Sequence, residues 1–165
     1  MTAALRLDEL LGYSDADRAK WRAWIAADPK RLDIPFQPSG DFPTIGSLLN
    51  HVFIAERGLL ARLRGSTPPN SSGVAPHDCK ALFEYGDQVR ADFRTFVRDF
   101  HDASADTQVS FTLRDGSTMT MTRRKLAFHI LQHEIRHLAQ LAYAVRLAGF
   151  EPPGKHDLLF FTELA

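Results

Sequence analysis

Residues 129–140 read HILQHEIRHLAQ. Three histidines, His129, His133 and His137, recur in it at four-residue intervals, which on a helix puts them on successive turns of one side. The run belongs to a longer periodic segment. That segment opens at Thr122, a residue suited to capping a helix N-terminus, and closes at Gly149 with Pro152 and Pro153 beyond. The pattern predicts a helix to Ala148. With about 100° per residue, Leu126, Ile130, His137, Leu141, Ala144 and Ala148 fall within about 80° on one side of His133. His129, Gln140 and Leu147 lie within about 40° on the other side. The spacing places His133 and His137 in the apolar stripe and Glu134 at its edge.

Working outward, VSFTLRDGSTMTM (109–121) changes the period from helical to alternating around Asp115-Gly116. That predicts a short β-hairpin. Before it, Leu82, Val89, Phe93, Phe96 and Phe100 mark a helix from about His77 to Asp102, with Gly86 inside it as a tolerable cost. Ile45, Leu48, Val52, Ala55, Leu59 and Leu63 mark another from a Thr44 cap to Arg64, stopped by Gly65. Leu7, Leu10, Leu11, Trp21, Trp24 and Ile25 mark the first, from Leu5 to Ala27. Gly12 and Ser14 suggest a break in it, with Ser14 capping and Asp17 closing the pair. Residues 30–43 and 65–76 are Pro/Gly/Ser-rich connections. The tail KHDLLFFTELA carries apolar residues expected to pack back on the body. The architecture these elements predict is all-α: a four-helix bundle with a short hairpin before the last helix, one domain over residues 1–165.

The 20 basic and 20 acidic side chains cancel, so no basic surface speaks for nucleic acid. No apolar run approaches the roughly 20 residues of a membrane span, and the N-terminus lacks a signal-peptide pattern. The single cysteine, Cys79, excludes an internal disulfide and a CxxC metal site; it reads as a small, partly buried residue near a helix start. The expectation is a soluble cytoplasmic protein with a small-molecule substrate and neither nucleic acid nor membrane as partner. Trp21 and Trp24 would give the first helix an apolar strip for a homodimer.

Two imidazoles at i and i+4 on one inward face can share a metal ion, or can be core histidines satisfied by hydrogen bonds. His51, beside Leu48, Ala55 and Leu59, is the best-placed third ligand from a facing helix. His129 reads as a neighbour or pocket wall, and His77, His101 and His156 as exposed or capping histidines. Three nitrogen ligands with an open fourth position describe a reactive site. HEIRH also matches the H-E-x-x-H of zinc peptidases, with Glu134 as base. That match lacks an H-x-x-G-x-x-H extension, and only Glu151 and Glu163 follow as carboxylates. Glu134 could instead take a proton or orient a ligand histidine, or be a solvated charge. Glu56 reads as the partner of a surface arginine such as Arg57 or Arg136.

Two segments then carry a resemblance. TIGSLLNHVFIAERGLLARLRG (44–65) and RRKLAFHILQHEIRHLAQLAYAVRLAGF (123–150) resemble the second and last helices of the DinB-like (YfiT-like) family of metal-dependent four-helix proteins. His51, His133 and His137 stand at that family's ligand positions. Its frequent ending H-H-R-G-Q appears as Arg136-His137-Leu138-Ala139-Gln140, with the R-G pair replaced. The resemblance implies a bundle holding zinc or nickel on a histidine triad, often as a homodimer. It implies a low-molecular-weight thiol as cosubstrate of a transferase or isomerase. The alternatives are a metal-binding or stress-response protein without turnover, and a small-molecule binding module.

Overall fold

The computed structural model describes the chain except residues 1–4, 38, 71–73, 101, 114 and 163–165. Helix α1 spans Leu7–Ala27 and α2 spans Ile45–Leu63. They are joined through a short 3-10 turn, Pro29–Asp33. Helix α3 spans Cys79–Arg98, and a single turn, α4, covers Asp102–Ala105. Strands β1 (Gln108–Thr112) and β2 (Thr118–Thr122) pair antiparallel, and α5 (Arg123–Leu147) follows at once. Thr44 caps α2 by accepting from the Ser47 amide, and Thr122 caps α5 by accepting from the Lys125 amide. Gly116, at φ +83, turns the hairpin, and Gly149, at φ +82, ends α5.

The first helix departs from expectation. It runs unbroken through Gly12 and Ser14. Ser14 is fully buried and donates to Glu134 instead of capping, and Asp17 binds His156. Tertiary partners have captured both polar side chains, so neither is free to compete with the helix backbone.

Helix α5 packs chiefly on α2, with α1 and α3 completing the bundle. The core has two apolar halves. One gathers Trp21, Ile25, Leu48, Phe53, Leu82, Leu138 and Leu141, and the other Leu10, Leu11, Leu60, Phe93, Phe96, Leu126 and Ile130. Between them each long helix contributes a charge: Arg18 from α1, Glu56 from α2, Arg90 from α3 and Glu134 from α5, all buried. Gly86 on α3 is required at this level. A Cβ there would lie 2.8 Å from the Phe53 ring, and its carbonyl accepts from Arg18 at 3.1 Å.

Trp21 is fully buried and Trp24 packs edge-on to Phe150, so the first helix exposes no tryptophan strip. Tyr143, Leu147 and Leu159 are the most exposed large apolar side chains described. The tail returns to the body through two anchors. His156 stacks on Trp21 and Phe161 meets Tyr13, while Leu158, Leu159 and Phe160 stay exposed. His156 is therefore a half-buried clasp, its Nδ1 2.5 Å from Asp17, and not a capping histidine. His77 is exposed, and Cys79 is half-buried at the start of α3. His101 and Glu163 lie outside the described residues.

Candidate metal centre

His51 of α2 meets His133 and His137 of α5. Their ring centroids are 5.1 and 5.2 Å from that of His51 and 4.4 Å from each other. One nitrogen from each lies within 4.8 Å of the other two. The three imidazoles are half-buried, at the rim of the bundle and not in its stripe. The centre of the buried face of α5 lies near Glu134, the residue that spacing had put at the edge.

The geometry fits a metal ion. His133 Nε2 and His137 Nε2 are 3.2 Å apart, too close for two bare lone pairs without a proton or cation between them. Two nitrogens about 2.0–2.1 Å from a tetrahedral zinc would be about 3.3 Å apart. His137 Nδ1 lies 2.6 Å from Gln140 Oε1, a contact that holds the proton on Nδ1 and leaves Nε2 for ligation. Burial first, then the neighbouring His137, His51 and His129, push the His133 imidazole down to about 4. At neutral pH it is in the uncharged form a metal needs.

A cavity of about 1120 Å³ opens beside two of the three, lined by His51, His133 and His129 and by the far turns of α2. Phe42, its ring 4.5 Å from His51, and Pro68, Pro69 and Asn70 also line it. His129 stands 5.9 Å from His133, ring to ring, beside the three that converge.

Glu134 does not face this cavity. Arg18 Nε donates to its Oε1 at 2.6 Å, while Arg90 Nη2 and Ser14 Oγ donate to Oε2. Burial alone would raise its carboxyl, but Arg18 and Arg90 outweigh that and hold it at about 2. Glu56 is likewise interior and not a surface partner of Arg57 or Arg136: it takes Arg18 Nη2 at 2.6 Å and lies 3.3 Å from Arg90 Nε. Burial dominates there and raises the Glu56 carboxyl. Sequence reading missed Arg18 and Arg90. The signal was present, since Arg18 lies three residues before Trp21 and Arg90 three before Phe93, each inside an apolar stripe.

The model of the DinB family matches residues 1–165. The chain belongs to the DinB family. No curated protein matches it significantly. Among solved structures, this DinB-family chain is similar to YfiT from Bacillus subtilis, described as a probable metal-dependent hydrolase with an unusual four-helix bundle topology. The TM-score is 0.59 at 15% identity, over 92% of this chain and 94% of that one. At that identity the likeness establishes the four-helix bundle fold. No helix among the described residues is long and apolar enough to cross a membrane.

Proposed function

We propose that His51, His133 and His137 hold a divalent metal ion, zinc or nickel, in a metal-dependent enzyme that activates a low-molecular-weight thiol for S-transfer or isomerisation. The observation that carries this reading is three converging imidazoles, two of which, His51 and His133, line a cavity. When bound, such an ion supplies a Lewis-acid position that holds a thiol as thiolate at neutral pH. The chain's own part is to present His133 as a neutral imidazole, to fix His137 through Gln140, and to shape the cavity that receives the second substrate.

Hydrolysis is the second reading, supported by the description of YfiT. A peptidase-like hydrolase needs a carboxylate base beside the ion. Both Glu134 oxygens are already taken by Ser14, Arg18 and Arg90, which favours a thiol, whose activation needs only the metal. We further propose a cytoplasmic homodimer acting on small molecules; a monomer by light scattering at micromolar concentration would remove the dimer.

Metal analysis of the purified protein comes first, with one equivalent expected in wild type and little in His51→Ala. A panel of low-molecular-weight thiols with electrophiles, assayed with and without metal, then tests turnover. Stoichiometric metal without thiol-dependent turnover would leave the metal-binding protein and the hydrolase as the surviving readings.

A further inference from the structure

The cavity extends along α2 away from the histidines. At about 100° per residue, His51, Ala55, Gly58 and Arg62 fall within about 60° of one another, and all four line it. The floor therefore runs from a histidine, over two small residues, to an arginine. The Arg62 Cα lies roughly 16 Å along the axis from that of His51. Its side chain leans back towards the helix N-terminus, as helical side chains do. Its Nη1 lies 3.3 Å from the place a Cβ on Gly58 would occupy. The guanidinium is thus drawn to roughly 10 Å from His51 along the axis.

Phe111 of β1 backs the guanidinium, its ring centroid 5.0 Å from Cζ. Arg62 is half-buried and makes no ion pair with any described residue. Arg57, which also lines the cavity, has no ion pair among the described residues either, but it is exposed and lies over Tyr85, whereas Arg62 is half-buried. Asp41, the acidic side chain of the cavity, belongs with Phe42 at the histidine end. A planar cation held on an aromatic face, with its acceptors missing, is preorganised for a planar or tetrahedral oxyanion.

We infer that the small molecule taken by this site carries an oxyanion, a carboxylate or a phosphate, which Arg62 binds about two turns of α2 along from the histidine end, with an apolar linker lying over Ala55. This rests on reading the triad as a metal centre.

The test uses protein loaded with cobalt(II), titrated with mercaptooctanoate, with the matching mercaptoalkyl phosphate and with mercaptooctanol, following the sulfur-to-cobalt absorption band. At least one acid should bind about tenfold or more tighter than the alcohol, the gain expected of a charge-assisted pair. The tighter of the two identifies the anion. Arg62→Gln should abolish the advantage while the cobalt spectrum without ligand stays the same. Gly58→Leu, which favours the helix but fills the place of the guanidinium, should abolish it too. Equal affinities for acids and alcohol in wild type, or an advantage that survives Arg62→Gln, would overturn the inference. Failure to bind cobalt at all would instead overturn the metal reading. Calorimetry of octanoate against octanol on the metal-free protein would then decide the anion subsite separately, with octanoate binding expected in wild type and lost in Arg62→Gln. Equal heats would overturn it.

Discussion

Glu134 and His133 are adjacent in sequence, yet the glutamate is 2% exposed between two arginines while the histidine stands at the rim of a cavity. Their clusters are built on opposite terms. In the charged layer every member already has its counter-charge within the interior. In the triad, three half-buried imidazoles from two helices bring one nitrogen each within 4.8 Å of the others, the grouping a metal ion would take. Polar residues of a bundle therefore serve two ends: charges paired among themselves in the interior hold the helices, and imidazoles that converge at the rim make a site.

The largest effect should come from breaking the closed cluster. Glu134→Ala removes a carboxylate that two buried arginines share, leaving Glu56 as their common partner and Asp15 beside Arg90, and should cost about 3–5 kcal/mol in chemical denaturation. His133→Ala in metal-free protein should cost far less, and equal losses would erase the distinction. Next comes metal withdrawal. At a free concentration a hundred times its dissociation constant, the ion should stabilise wild type by about 2.7 kcal/mol, and His51→Ala should show little of this gain in thermal melts. Gln140→Ala, which frees the His137 ring, should weaken metal affinity about 10- to 100-fold with little change in metal-free stability. An unchanged affinity would mean that the 2.6 Å contact does not orient the ligand.

The smallest effect separates the clusters by pH. The His133 pKa is depressed, so as pH falls the unfolded chain takes up its proton first. Its contribution to metal-free stability is present above about 6.5 and is lost as pH falls towards about 4. Glu134, held at about 2 against an ordinary 4.5, loses its contribution below that window, and Glu56, raised by burial, works against it. His133→Asn should flatten the stability profile in the upper window alone.

Much of the fold was legible in local chemistry. Thr44 and Thr122 cap where capping residues precede apolar stripes, and Asp115-Gly116 turns the hairpin. The His133/His137 pair was visible as spacing, and His51 as a histidine beside a stripe. The charged layer was not. A lone Glu or Arg within a helical pattern reads as solvated, because a single helix cannot show that three others bring compensating charges to the same level. The same blindness moved the stripe of α5 off Glu134 and onto the histidines. Ser14 was read as a breaker for a related reason: its partner lies 120 positions away.

The charged layer also acts as a key for alignment. Apolar side chains are interchangeable enough that a bundle of leucines could slide by a turn, about 5.4 Å, and repack. Here such a slip of α5 would leave Glu134 among hydrocarbons and take from Arg18 and Arg90 one of the carboxylates they share, so the charges favour one vertical setting of the four helices. The histidines depend on that setting, because His51 meets the other two only when α2 and α5 are at the right height. A variant with Arg18, Glu56, Arg90 and Glu134 all replaced by apolar residues of matching volume puts this to the test. Stability should be kept or raised, while methyl resonances broaden into several forms and metal binding falls; a single sharp spectrum with full metal affinity would show that packing alone sets the height.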